Sequence, residues 1–473
     1  MSNATPSTAI YELGSDFYDE VLPAQFPQAI LRYRNQAAAQ EVDLGELTAP
    51  AWAEHFCHFK ALPDNLKMPV ALRYHGHQFQ SYNPDLGDGR GFLFAQFQTP
   101  HRLLDLGTKG SGRTPWSRSG DGRLTLKGAF REILATELLE SYGVPTSRTF
   151  SVFETGESLE RHDEPSPTRA AVLVRLNHSH VRFGTFQRLA FLKQPDNIRK
   201  LIRYCVCHFY PELANLPDAE QAARFLQAVS QKTAALAAAW MMAGFVHGVL
   251  NTDNMNITGE SFDYGPYRFL PTYDPQFTAA YFDRSGLYCF GRQPYSVLWN
   301  LHQLGAALAS AYPDLPVAEL LEDFSADFSF EVHQRLLKRL NLRNPLQDPA
   351  GIQTLNADLV ANLFNYMIAE KVSFEQTFFD LHSGGIESRL QRSPLKDFYK
   401  QNSFAKLKST LESFEIADAR HAQHPYFQQS KACTVIIDEL ESLWQPIAEN
   451  DDWAAFERKL AEIRSFRGVY NYP

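Results

Sequence analysis

The stretch that most constrains this chain covers residues 247–265, HGVLNTDNMNITGESFDYG. It places Asp253 next to Asn254 and closes on the triplet Asp263–Gly265. Amide and carboxylate oxygens suit Mg²⁺ or Mn²⁺, and a carboxylate free of metal can take a proton from an attacking hydroxyl. The stretch therefore predicts that Asn254 and Asp263 bind a cation while Asp253 acts as a base. A polar loop followed by a tight turn would show the same pattern, so the rest of the chain must decide.

The same stretch has the spacing of two protein-kinase motifs, the catalytic loop H-R-D-x-x-x-x-N and the triplet D-F-G. His247 and Asn254 stand at the two ends of the loop, and Asp263–Gly265 stands where the triplet belongs. Val249 occupies the position of the usual kinase aspartate, and an aliphatic side chain cannot accept a proton. An ordinary kinase base is therefore missing, and Asp253 is the only carboxylate inside this loop.

The size and charge of the chain exclude several classes of protein. Its 473 residues exceed one ordinary domain and predict at least two lobes. The 54 acidic residues outnumber the 45 basic ones, which argues against nucleic acid or an anionic membrane as a partner. We find neither a long apolar run nor a signal-peptide pattern, so we expect a cytoplasmic protein.

Two short pairs could be mistaken for metal ligands, His75 with His77 and Cys205 with Cys207. Neither pair has further ligands nearby in the sequence, so we expect packed or hydrogen-bonded histidines. The two cysteines should lie on a helix, one of them in the core. Five scattered cysteines in a cytoplasmic chain predict reduced thiols rather than a zinc site.

Residues 86–96, LGDGRGFLFAQ, combine a glycine-rich turn with an apolar strand. Asp-Gly is a strong signal for a hairpin turn. The same geometry would let the backbone at Gly87 and Gly89 approach phosphate while Arg90 adds positive charge. The segment alone does not decide between these interpretations.

The next strand ends at Lys109, and a helix is predicted over 126–142 with Glu132 on the flank of its apolar stripe. A strand lysine paired with a helix glutamate, downstream of a glycine-rich turn, is the arrangement of a kinase N-lobe. A surface lysine and a solvated glutamate are the alternative. The long polar loop between them holds Asp121 and Gly122, which could touch a nucleotide.

Two strands are predicted at 149–155 and 170–176, and two arginines lie at the end of the second strand and just beyond it. Arg175 lies at the end of the second strand and Arg182 in the loop after it. Such a pair could clamp phosphate through bidentate hydrogen bonds, or form salt bridges between lobes. The lobe boundary should follow near Thr185.

Helical patterns dominate the rest of the chain, with apolar stripes over 219–243 and 293–311. We therefore expect an α+β architecture with two parts. An N-terminal wrap and a mostly β lobe would span 1–185, and a helical lobe with a C-terminal extension would span 186–473.

Taken together, these residues resemble the selenoprotein O family, which includes bacterial members without selenocysteine. The resemblance runs from about Pro69 to Leu304 and rests on ordered motifs: GHQFQ, LGDGRG, LDLGTKGSGRTPWSRSGDGR, FREILATE, PTSRTFSV, HSHVRFGTF, GFVHGVLNTDNM, FDYGPYRFL and YDPQF. It implies a protein-kinase-like bilobal fold that transfers AMP rather than a phosphoryl group. ATP would bind reversed, with its γ-phosphate pointing inward and its α-phosphate facing the acceptor.

Carried onto this sequence, the resemblance implies a role for each candidate. Asn254 and Asp263 would hold Mg²⁺ or Mn²⁺, Asp253 would be the base, and Glu132 would pair with Lys109. The residues implied to hold the nucleotide are Gly87, Gly89, Arg90, Lys109, Asp121, Gly122, Arg175 and Arg182.

The expected function is transfer of AMP from ATP to Ser, Thr or Tyr hydroxyls of proteins, with release of pyrophosphate. UMP transfer from UTP with Mn²⁺, a true protein kinase and an inactive nucleotide-binding scaffold remain alternatives. The expected partners are ATP and protein substrates, without nucleic acid or membrane, and we expect a monomer. The family often ends in a tail bearing cysteine or selenocysteine, whereas the last cysteine here is Cys433.

Overall fold

An antiparallel sheet dominates the N-terminal part of the computed structural model, which describes residues 4–162 and 164–470. Its strands are β1 (Thr5–Ser7), β2 (Tyr18–Glu20), β3 (Ile30–Arg34), β4 (Val70–Leu72), β7 (Leu93–Gln98), β8 (Leu103–Lys109), β9 (Leu124–Thr125), β10 (Arg148–Leu159) and β11 (Thr168–Asn177). In the described residues the order of the sheet is β2-β4-β7-β8-β11-β10-β3, with β1 paired to β7 and β9 paired to β11. Shorter pairs are β5 (Gly76–Gln78) with β6 (Ser81–Asn83), β12 (Phe245–Val246) with β13 (Arg268–Phe269), and β14 (Leu342–Arg343) with β15 (Glu415–Ile416).

Helices pack on both faces of the sheet and form the rest of the chain. They are α1 (Gln36–Glu41), α2 (Ala49–Phe56), α3 (Leu126–Ser141), α4 (Phe183–Phe191), α5 (Pro195–Phe209), α6 (Asp218–Met242), α7 (Gln293–Ala309), α8 (Val317–Leu320), α9 (Phe324–Leu340), α10 (Pro349–Glu370), α11 (Phe374–Gly385), α12 (Glu387–Arg392), α13 (Asn402–Glu412), α14 (Ile437–Asn450) and α15 (Ala454–Ser465). The α+β expectation is confirmed at this level. The division into two lobes near residue 185 remains a prediction.

The sheet register explains how two distant basic residues reach one site. In the pairing of β8 with β11, Lys109 lies opposite Leu173 and Gly107 lies opposite Arg175. Residues opposite each other, and residues two apart, share a face of a sheet. Lys109 and Arg175 therefore point to the same side.

The glycine-rich segment at 86–96 is not the hairpin that its sequence suggests. Strand β7 pairs with β8, whereas the turn before β7 is bonded to β4. There the Asp88 amide donates to the Leu72 carbonyl, and the Leu72 amide donates to Asp88 Oδ2. The hydrogen bonds of this turn thus go to another strand, which a local turn signal cannot reveal.

Helix α3 is buried between the sheet and the C-terminal helices. The ring of Phe130 lies 5.3 Å from that of Trp444 on α14 and 5.2 Å from that of Phe456 on α15. Further along α3, buried Glu137 forms ion pairs with Arg464, at 2.6 Å, and with Arg467. The C-terminal extension therefore packs on the N-terminal part of the molecule and fixes the helix that carries Glu132.

We expect the double variant Arg464→Met/Arg467→Met to lower the free energy of unfolding by about 3–5 kcal/mol. The reason is that removing the partners of a buried charge leaves that charge uncompensated. Urea denaturation measures the change. The matched control is Arg458→Met, an exposed arginine on α15, which should change stability by less than about 0.5 kcal/mol. If the urea denaturation curves of the double variant and the wild type overlapped, the ion pairs of Glu137 would not contribute to the free energy of unfolding.

The two short histidine and cysteine pairs have the structural roles expected of them. His75 Nδ1 lies 2.7 Å from the Tyr82 hydroxyl, and His77 Nδ1 lies 2.8 Å from Gln187 Nε2. Cys205 is buried on α5 while Cys207 is exposed. No helix in the described ranges is long and apolar enough to cross a membrane.

Candidate active site

The candidate site is a cleft between the sheet and the loop that follows α6. A chamber of about 70 Å³ forms its inner end. An outer cavity of about 820 Å³ opens beyond it. Asp263 and Arg90 line both, so the two spaces adjoin each other. The outer cavity is in the usual size range of ligand pockets, about 300–1,000 Å³, whereas the inner chamber is much smaller.

The inner end of the cleft contains the lysine and glutamate predicted from sequence. Lys109 Nζ lies 2.6 Å from Glu132 Oε2 and 3.0 Å from Asp263 Oδ1. The side chains of Lys109 and Glu132 are 5% and 1% exposed, which rules out the alternative of a solvated pair. Partial burial alone would raise the pKa of Asp263, but the neighbouring cations, Lys109 first among them, hold it well below its usual range. Asp263 is therefore an anion that faces the cleft.

The backbone around Asp263 is held by the histidine at the start of the loop. Buried His247 places Nε2 3.0 Å from the Phe262 carbonyl, and its own amide donates to Gln293 Oε1. Asp263 has a φ of 63°, a left-handed conformation that is uncommon outside glycine, asparagine and aspartate. The start of the loop thus contacts the residue that directly precedes Asp263.

Both predicted arginines are buried and reach the inner chamber. The guanidinium carbons of Arg175 and Arg182 lie 5.4 Å and 4.9 Å from the centre of the Phe262 ring. Arg182 also lies 4.4 Å from the Tyr74 ring and donates to Asp88 Oδ1 at 3.1 Å. The guanidinium groups of both arginines therefore pack against the same aromatic ring, that of Phe262.

The bonding of Arg175 is incomplete. Its Nη1 lies 3.8 Å from Glu132 Oε1, which is too far for a hydrogen bond. Its Nε and Nη1 are buried without a hydrogen-bond partner among the described residues. Buried guanidinium groups are normally paired, so this donor is suited to an anion in the chamber.

The loop after α6 brings Asp253 and Asn254 to the outer cavity. The Asp253 carbonyl accepts from Arg182 Nη1 at 2.9 Å, which ties the loop to the arginine pair. Burial raises the pKa of Asp253 to about 7. Its Oδ1 is buried and has no hydrogen-bond partner in the described part of the chain. A carboxylate in this position can accept a proton from a group bound in the cleft.

Asn254 and Asp263 both line the outer cavity and carry the type of oxygen that a hard divalent cation prefers. Asn254 Nδ2 donates to the Val249 carbonyl at 3.0 Å, which leaves the side-chain carbonyl oxygen available to a cation. Within the described ranges, no group of three or more His, Cys, Asp or Glu side chains could hold a metal. Mg²⁺ commonly uses one or two protein ligands together with substrate phosphates and water, and the pair matches that pattern.

Trp116 packs against the glycine-rich turn. A Cβ atom at Gly87 would lie 2.4 Å from the Trp116 ring, and one at Gly89 would lie 2.8 Å from the Trp116 carbonyl. These contacts require glycine for close packing of the turn. The glycines and Arg90 line the outer cavity as well, so a role towards phosphate remains a prediction.

Asp121 and Gly122 lie on the rim of the outer cavity. Asp121 Oδ2 is 2.8 Å from Arg161 Nη1, and its Oδ1 accepts from the Arg123 amide. Gly122 has a φ of 72°. Both residues line the outer cavity, and their predicted contact with a nucleotide remains a prediction.

The sequence interpretation missed four residues of the site: Tyr74, Asp88, Trp116 and Phe262. Asp88 lies inside the LGDGRG motif and Phe262 precedes Asp263, so both stood within segments already selected. Trp116 also lies inside a selected motif, LDLGTKGSGRTPWSRSGDGR, whereas Tyr74 only precedes the selected His75. Neither was chosen, because aromatic residues in loops are common.

Comparison with known proteins extends the resemblance to nearly the whole chain. A family model described as "Protein adenylyltransferase SelO" matches residues 1–464. The chain belongs to the SelO family. The selenoprotein O resemblance seen over 69–304 is thus confirmed and is longer than its motifs indicated.

Curated relatives within the SelO family are similar along their full length. "Protein nucleotidyltransferase YdiU" of Trichodesmium erythraeum (strain IMS101) is 42% identical, over 96% of this chain and 97% of the relative. The proteins of that name from Trichormus variabilis and from Synechocystis sp. are each 40% identical over at least 95% of both chains. This SelO family member is therefore a nucleotidyltransferase.

Proposed function

We propose that this chain is a protein adenylyltransferase that moves AMP from ATP to Ser, Thr or Tyr hydroxyls of other proteins. Pyrophosphate would be the second product, and the reaction would depend on Mg²⁺ or Mn²⁺. The family description names protein adenylyltransferases, and the curated relatives are named protein nucleotidyltransferases. The proposed fold is kinase-like. Lys109 pairs with Glu132 and Asp263, and Asp263 lines one cavity with Asn254, which is the arrangement expected of the corresponding kinase residues.

The observation that carries the proposal is the uneven distribution of charge along the cleft. Lys109, Arg175 and Arg182 line the inner chamber, whereas Asp253 lies in the outer cavity. The γ-phosphate is the most highly charged part of ATP, and buried arginines bind phosphate strongly. The inner chamber is too small for a nucleoside, so the phosphates would enter it first.

This orientation would bring the α-phosphate, rather than the γ-phosphate, towards Asp253. Asp253 would take the proton of the acceptor hydroxyl as its oxygen attacks the α-phosphorus. The bond between the α-phosphorus and the bridging oxygen would break, and pyrophosphate would leave with that oxygen. Asn254 and Asp263 would hold the divalent cation, which supplies positive charge to offset that of the phosphates.

ATP labelled with ³²P at the α or the γ position tests the proposal. We expect the α-label to enter protein in the presence of Mg²⁺ or Mn²⁺ and the γ-label to remain in pyrophosphate. Protein labelled only from the γ position would identify a true kinase. Nucleotide binding without protein labelling from either position would identify an inactive scaffold. The same assay with α-labelled UTP and Mn²⁺ compares the two nucleotides.

We expect Arg175→Met to weaken ATP binding by tenfold or more. Methionine keeps most of the packing on Phe262 but removes a charge-assisted contact of about 1.5–3 kcal/mol. Isothermal titration calorimetry with Mg²⁺ present measures the affinity. Arg343→Met, at a side chain 66% exposed and far along the chain, is the matched control. An affinity equal to that of wild type would assign Arg175 to structural pairing with Glu132.

A further inference from the structure

Three exposed aromatic rings form a patch beside the outer cavity. Phe79, Tyr281 and Phe282 are 37%, 81% and 47% exposed. The ring of Phe282 lies 5.9 Å from that of Phe79 and 5.1 Å from that of Tyr281, so the patch is continuous. Tyr281 lines the same cavity as Asp253. We refer to Phe79, Tyr281 and Phe282 as the aromatic rim.

The aromatic rim is tied to the loop that carries Asp253. The Phe79 amide donates to Asn251 Oδ1 at 3.1 Å, and the Tyr288 hydroxyl donates to the same atom at 2.9 Å. The Tyr288 ring also lies 4.9 Å from that of Phe79. Asn251 is two positions before Asp253, so these contacts hold Phe79, the inner member of the rim, close to the loop of the proposed base.

The backbone at Phe79 is unusual for a phenylalanine. Phe79 and Gln80 form the two-residue turn between β5 and β6, with φ values of 49° and 63°. Turns with two positive φ angles favour Asn-Gly, and a bulky residue there is strained. Such strain typically accompanies a function for the side chain that is held in place. The Phe79 ring packs on Tyr288 with one side and leaves the other exposed towards Phe282, so core packing alone does not account for it.

We propose that the aromatic rim binds an apolar side chain of the acceptor protein, next to the hydroxyl that is modified. This inference rests on the proposed function. Asp253 is buried, so an acceptor hydroxyl must enter the outer cavity, and the residues flanking it then pass over Tyr281. Exposed apolar surface at a cleft mouth is suited to such a partner because burial of an aliphatic side chain favours binding. The acceptor segment would therefore carry an aliphatic or aromatic residue beside its Ser, Thr or Tyr.

Two synthetic peptides test this preference. They share one Tyr and differ only in its neighbours, leucine in one peptide and asparagine in the other. With α-³²P-ATP and Mg²⁺, the wild type should label the leucine peptide about tenfold more efficiently, as the burial of one aliphatic side chain predicts. Phe79→Asn and Tyr281→Ser should bring the ratio close to one.

The variants separate recognition from folding. Asparagine is favoured in the turn at Phe79, so Phe79→Asn should not weaken the fold. The control Phe330→Ser replaces a ring on α9 that is 59% exposed and lies outside the cleft, and it should keep the wild-type ratio. A loss of ATP affinity in Tyr281→Ser would assign that ring to the nucleotide and overturn the proposal.

The remaining outcomes distinguish this inference from the function on which it rests. If the wild type transfers no α-label to any protein, the proposed function itself fails. If it labels lysate proteins but neither peptide, or if the variants keep the leucine preference, only the role of the aromatic rim is overturned. A wild-type dimer that Tyr281→Ser converts to monomer, seen by light scattering, would make the rim a contact between copies and also overturn it.

Discussion

Replacing Asp263 with alanine should abolish AMP transfer and remove the effect of Mg²⁺ on ATP binding. Asp263 is the proposed carboxylate ligand of the cation, and its pKa is held well below the usual range, so it carries a full charge at neutral pH. Loss of the cation removes the charge that offsets the phosphates. We expect a loss at least as large as removal of a general base, about 10²–10⁴-fold. Transfer of α-label and calorimetric ATP binding, each with and without Mg²⁺, measure the two effects.

The control for Asp263→Ala is Asp314→Ala, which removes an exposed carboxylate outside the cleft. It should behave as wild type in both assays. Lys109 keeps its pair with Glu132 in the Asp263 variant, whereas alanine at a φ of 63° is strained, so we expect a retained fold with a modestly lower thermal unfolding midpoint. If Asp263→Ala still bound Mg²⁺-ATP and labelled protein at the wild-type rate, the cation would have to be held elsewhere.

Replacing Asp253 with asparagine should lower the rate of AMP transfer by about 10²–10⁴-fold while ATP binding is retained. The amide has nearly the same shape as the carboxylate but cannot take the proton of the acceptor hydroxyl. The bond from Arg182 goes to the main-chain carbonyl of Asp253, so the substitution should leave it intact. Single-turnover labelling and calorimetry with Mg²⁺ separate the rate from the affinity.

Two results would contradict the role of Asp253. If Asp253→Asn lost Mg²⁺-dependent ATP binding as completely as Asp263→Ala, Asp253 would be a second metal ligand rather than a base. If it transferred AMP at the wild-type rate, the loop would not be the active site.

The pair of Lys109 and Glu132 is a part of the candidate site that local sequence patterns predicted correctly. A strand that ends in lysine and an amphipathic helix carrying a glutamate are local patterns, and both elements formed close to where they were expected. Their meeting at 2.6 Å required only that α3 pack on the sheet, which its apolar stripe favours. The glycine-rich turn is the opposite case, since its hydrogen bonds go to β4 rather than to a hairpin partner.

The sequence by itself determined the site's chemical groups and their order along the chain, including Asn254 and Asp263, because motif spacing is local. Only the tertiary structure decided which groups face the inner chamber, that Arg175 and Arg182 share the Phe262 ring, and that Arg182 binds Asp88. The physical reason is that these contacts join segments far apart in the chain, and their geometry follows from sheet register and helix packing. The ion pair of Glu137 with Arg464, between residues 327 positions apart, is another long-range contact of this kind.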